Sequence, residues 1–94
     1  MQTYTLSKPF TIDGKELKEL RLDLDDLSYT DIKAIYTEHA TRVQNDANYD
    51  NKDLPVLLVA RASGVIFDDL RANLCGTDAL RLMARAGSFF SDMV

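Results

Sequence analysis

His39, Cys75 and the carboxylate pairs Asp25-Asp26 and Asp68-Asp69 are the residues whose types could do chemistry in this chain. A histidine acting as general base or zinc ligand needs partners that orient it or share the ion, and His39 is the only histidine. It reads as a structural side chain on a helix flank. A nucleophilic Cys75 would need a nearby base to lower its pKa, and the sequence offers none. The single cysteine also rules out an internal disulfide, and it reads as a small buried hydrophobe. Neighbouring carboxylates diverge on a strand or at a helix start, so both Asp pairs read as turn and cap residues. Asp46, Asn48 and Asp50 have the spacing of the first three ligands of a calcium loop. The position that requires glycine holds Asn51, however, and the one that requires a bidentate carboxylate holds Leu57. The four glycines lie far apart and form no phosphate loop. The residues therefore point to no catalytic site, no metal site and no cofactor, and to a protein that is not an enzyme.

Length and composition frame what must position these residues. Ninety-four residues fit one domain, and 46% apolar against 28% charged residues is the balance of a globular chain. Residues 1–94 are thus expected as a single α+β domain, with a β-hairpin over 3–24 and a helical part over 28–92. No apolar run approaches a membrane span, and the first residues lack an apolar signal core, which places the chain in the cytoplasm as an expectation. The net charge is −4, and residues 1–50 hold six Lys/Arg against ten Asp/Glu. Such an acidic half disfavours phosphate backbones, so no nucleic-acid role is expected.

Residues 3–12 alternate in polarity and run into Asp13-Gly14, a two-residue hairpin signal that pairs position 12 with 15 and 10 with 17. Continued unbroken, that register would put Leu20, Leu22 and Leu24 on the wrong face. One extra residue is therefore expected as a bulge at Lys18-Glu19 or at Lys8-Pro9, where proline has no N–H to lose. The expected inner face is Tyr4, Leu6, Phe10, Leu22 and Leu24. Ser28 or Thr30 caps a helix, Asp31 falls in the capping-box position, and Ile32, Ile35, Tyr36, Ala40 and Val43 recur at helical spacing. Lys33, Thr37, Glu38, Thr41 and Arg42 are left for solvent. Residues 44–53 read as an exposed loop. Leu54 to Ala62 is apolar nearly all round, with Leu57, Leu58 and Ala62 central and Gly64 at a left-handed end. Asp68 is expected to cap a short turn ended by Gly76, and Thr77 to cap the last helix. That helix carries two apolar stripes: Leu80, Met83, Gly87 and Phe90, and Leu82, Ala86, Phe89 and Met93. One small core should not cover both, which makes Leu82, Ala86, Phe89, Phe90 and Met93 the expected partner-binding residues.

The segments TLSKPFTIDGKELKELRLDLDDLSYTDI, LPVLLVARASGV and FDDLRANLCGTDALRLMARAGSFF together resemble the phage tail assembly chaperone family of Mu-like and P2-like phages and prophages. The resemblance rests most on Leu6 to Gly14, on Ala62-Ser63-Gly64 and on Asp69 to Leu74, and it spans nearly the whole chain. It implies a non-enzymatic assembly factor in the host cytoplasm that coats the tape measure protein while the tail tube polymerises. The tail tube protein stands as a further partner, and burial of the last helix's second stripe in a homodimer is the alternative reading of that stripe. It also implies a frameshifted longer product, for which Ser88-Phe89-Phe90 permits a slippery codon run. The competing expectation is a structural tail or tail-completion component that stays in the particle.

Overall fold

A computed structural model describes residues 2–92, with side chains described through Phe89. Strands β1 (Thr3–Ile12) and β2 (Lys15–Arg21) form an antiparallel hairpin. Helices α1 (Tyr29–Asn45), α2 (Leu54–Ser63), α3 (Phe67–Asn73) and α4 (Gly76–Asp92) follow, an α+β arrangement. Asp13 and Gly14 take positive φ of 53° and 80°, the backbone that a tight hairpin turn with matching twist demands.

Near the turn the pairing is as expected, with Ile12 opposite Lys15 and Phe10 opposite Leu17. Beyond Thr5 the register has shifted, with Thr5 opposite Glu19 and Tyr4 opposite Leu20. Residues 6–9 thus lie opposite Lys18 alone, so the irregularity falls at Lys8-Pro9 but inserts three residues, not one. Three, like one, is odd, and parity is what matters: it turns Leu20 and Leu22 inward, where both are buried beside Leu6 and Leu24. Tyr4, Phe10 and Leu17 pack against the same core as half-buried neighbours.

The cause of the larger bulge is Asp78, in the first turn of α4. Its side chain is fully buried. It accepts hydrogen bonds from Tyr4 Oη at 2.7 Å, from Ser7 N at 3.0 Å, from Lys8 N at 3.2 Å and from Cys75 Sγ at 3.3 Å. The adjacent N–H groups of Ser7 and Lys8, which a regular strand would point in opposite directions, are both turned onto one carboxylate, and the strand bends around it. Asp78 also sets the rotation of α4, because Leu82 and Ala86 follow it at successive four-residue steps and all three point inward. The expected cap Thr77 lies inside the helix, which starts at Gly76. Asp68 likewise sits inside α3, whose N-cap is Ile66 without a side-chain bond.

Helix α2 is central, packing most extensively on α4 and also on α1, α3 and β2. Pro55 occupies its first turn and Gly64 ends it at φ 76°. Val56, Leu57, Leu58 and Val59 are all buried, as four consecutive positions can be only when neighbours surround the helix; Ala62 is half-buried. Helix α1 begins with a full capping box: Ser28 Oγ accepts from Asp31 N at 3.1 Å, and the Asp31 carboxylate accepts from Ser28 N at 2.9 Å.

Two measurements test this packing. Leu58→Ala should lower unfolding free energy by about 2–5 kcal/mol in urea titrations, and a loss below about 0.5 kcal/mol would remove Leu58 from the centre. The second concerns pH. Burial alone raises the Asp78 carboxyl, yet the bonds from Ser7, Tyr4, Lys8 and Cys75 outweigh it and hold the group well below the usual carboxylate range. A folded value below the unfolded one, about 4, means that the contribution is full above that pH and is lost as pH falls towards the folded value. Asp78→Asn should therefore cost about 1.5–3 kcal/mol at pH 7 and progressively less below about pH 4. An equal cost at pH 7 and pH 3 would contradict the role given to its charge.

Candidate functional site

Among the residues whose types suggested chemistry, His39, Cys75, Asp46, Asp50 and Asp68 each have a structural partner. His39 is half-buried, and its Nδ1 shares a 2.6 Å hydrogen bond with Tyr49 Oη. Tyr49 is buried, although its segment reads as an exposed loop, because its ring packs edge-on against His39 and Phe67. Burial, reinforced by the negative charge of Asp53, pushes its phenol up to about 12, so the hydroxyl stays protonated. Phe67 is covered by two guanidinium groups, with Arg42 at 4.7 Å and Arg71 at 5.1 Å from its centroid.

Asp46 is where those arginines converge. It accepts from Arg71 at 2.9 Å, from Arg42 at 3.2 Å and from Asn48 N at 3.0 Å. The Arg71 bond, then the Asn48 N–H, lowers its pKa. Asp50, another member of the calcium-like spacing, caps a short turn by accepting from Lys52 N at 2.8 Å. Asp68 binds Arg71 at 2.6 Å, and Asp25 and Asp26 lie in a 3-10 turn. Cys75 is half-buried, with its thiol donating to Asp78. These side chains tie α1, the 46–53 segment and α3 together, and no group of three metal-ligating side chains occurs among the described residues.

Two of the expected partner-binding residues are core: Leu82 is 0% exposed and Ala86 1%. This corrects the assignment of their stripe as an open face, since Asp78 turns that stripe inward beneath α2. Phe89 is half-buried against the core, while the Phe90 side chain and Met93 lie outside the described residues. The other stripe of α4 is the more open one, with Leu80 71% exposed and Met83 half-buried.

A larger open feature lies between α1 and the α2–α3 corner. It is a groove of about 740 Å³ with Ile35, Leu57, Ala60, Val65 and Phe67 among its apolar lining and Glu38, Arg42 and Arg61 among its polar lining. Ile66, 67% exposed, stands at its edge. Arg61 is held across the groove by Asp31, at 2.8 Å from Nη2, so the wall is braced before anything binds. Sequence reasoning missed this groove because it lies between elements. The only local sign was an isoleucine just after the Gly64 helix end.

No helix among the described residues is long and apolar enough to cross a membrane. No curated protein and no solved structure matches the chain. A family model does: residues 3–91 match the family described as "Phage tail assembly chaperone proteins, E, or 41 or 14", a span that includes the hairpin, the groove and nearly all of α4. The chain therefore belongs to the phage tail assembly chaperone family.

Proposed function

We propose that this chain is a non-enzymatic chaperone of the host cytoplasm that binds the tape measure protein while the tail tube assembles around it, with the groove between α1 and α2–α3 as its main client surface. Family membership supplies the tail-assembly role. The observation that carries the finer reading is the braced groove, an apolar floor with polar walls and an exposed Ile66 at its edge. A helical client segment laid along it would bury its apolar side on Ala60, Val65 and Ile66 and keep its polar side in water, the helix-in-groove mode of recognition. Binding residues need to be open in the free protein, and Ile66 meets that condition where Leu82 and Ala86 do not. Phe89 is a second candidate contact, and Phe90 and Met93, whose side chains lie outside the described residues, keep the partner-binding role expected from the sequence.

Replacing Ile66 by Asp should weaken capture of tape measure protein in a pull-down at least tenfold while circular dichroism stays unchanged, because Ile66 is mostly exposed. Phe89→Asp should weaken capture only in so far as the α4 end takes part, and loss of the fold in that variant would make Phe89 plain core. If Ile66→Asp captures client as well as the parent does, the groove is not the client surface. Mass spectrometry of purified virions separates a chaperone from a tail component, since a chaperone is absent from the finished particle.

A further inference from the structure

Four arginines hold a carboxylate: Arg21 pairs with Asp23, Arg42 with Glu38, Arg61 with Asp31 and Arg71 with Asp68. Arg81 and Arg85 hold none among the described residues, although the chain has 15 acidic residues for 11 basic ones. The cause is local. Asp78, the acidic residue in the first turn of α4, is buried under the β1 bulge, and Arg81 reaches the Tyr4 hydroxyl, which itself donates to Asp78 at 2.7 Å.

The two guanidinium groups share a face with the open apolar stripe of α4. Leu80, Ala84, Arg81 and Arg85 lie within an arc of roughly 140° of the helix. All four are exposed, Leu80 at 71%. Gly87 continues the apolar edge. Glycine weakens a helix interior, yet a methyl group added at Gly87 would meet nothing within 4 Å among the described residues. Packing inside the molecule therefore does not call for bare backbone at this position. A neighbour lying close against α4 from outside would.

We propose that this face of α4 docks an acidic amphipathic helix of a partner protein, which sets apolar side chains on Leu80 and Ala84 and two carboxylates on Arg81 and Arg85.

Charge complementarity selects this occupant. Arg81 and Arg85 stand about 6 Å apart along the axis, so carboxylates one turn apart on a second helix match them, and each guanidinium fork can take a carboxylate through two bonds. The helices of a second copy do not offer that pattern, because Asp31, Glu38 and Asp68 are already held by arginines and Asp78 is buried. A nucleic acid is disfavoured by the net charge of −4 and by a cationic patch of only two arginines. The groove between α1 and the α2–α3 corner includes no α4 residue, so both surfaces can be occupied together.

The test needs no tape measure protein, so its outcome is separate from the groove reading. The probe is a fluorescein-labelled synthetic peptide of about 18 residues, long enough to hold a helix in water, with Leu and Glu repeated one turn apart along one side. Fluorescence anisotropy with the full chain should show saturable binding that weakens as salt rises. Arg81→Gln combined with Arg85→Gln should weaken it at least tenfold, as should Leu80→Gln, with circular dichroism unchanged, whereas Ile66→Asp should leave it intact. Gly87→Met should raise the Tm of the chain and still weaken binding, a pairing of effects that a merely structural glycine would not give. No saturable binding up to about 1 mM would overturn the proposal. So would equal binding of a peptide with Gln in place of Glu, equal binding of one broken by two prolines, or tighter binding of a single-stranded RNA than of the acidic peptide.

Discussion

One buried carboxylate organises this fold. Asp78 is taken out of water only because four donors meet it, and two of those donors are adjacent backbone N–H groups of β1 that a regular strand would point in opposite directions. A lone hairpin of this size has too little apolar surface to hold itself in place. By bending β1 around the start of α4, Asp78 joins elements separated by about 70 residues. The same bond set fixes the odd register shift that buries Leu20 and Leu22, and it fixes the rotation of α4 that buries Leu82 and Ala86. Hairpin and last helix are thus oriented by a single interaction, and α2 fills the space between them.

The other end of the molecule is held differently. Around Phe67, Arg42 and Arg71 cover an aromatic face while Asp46 and Asp68 satisfy their remaining donors. Exposed ion pairs of this kind contribute little one by one, but here they are layered on a buried ring and on Tyr49, so their worth lies in geometry more than in net charge. This cluster rolls α1 so that its polar Arg42 and His39 face inward and its tyrosines outward. The groove beside α1 and the exposure of Tyr29 and Val43 are both consequences of that roll.

Much of the scaffold was legible because local rules and tertiary packing agree there. Asp13-Gly14, the Ser28–Asp31 capping box, the all-round apolar Leu54–Ala62 and the Gly64 helix end each state their structure within a few residues. What escaped was decided by contacts distant in sequence. Nothing near Asp78 announces that Ser7 and Lys8 will reach it, so the bulge came out at the right place with the wrong size, and the partner stripe of α4 was put on its buried side. Tyr49 escaped because a polar, Asn- and Asp-rich segment hides one aromatic anchor. The outward face of α1 escaped because spacing identifies a stripe but not which way a cation–π contact will roll it. The surfaces were the least legible part, since a groove belongs to several elements at once.

Family membership fixes the assembly role, and the groove is the surface proposed to meet a client. The most direct measurement is amide hydrogen exchange of the chain alone and in complex with tape measure protein. The account predicts slowed exchange concentrated at the α2–α3 corner around Gly64, Val65 and Ile66 and on the facing side of α1, with the hairpin unchanged. Slowing confined to the hairpin, or absent from the corner while the complex remains intact, would contradict it.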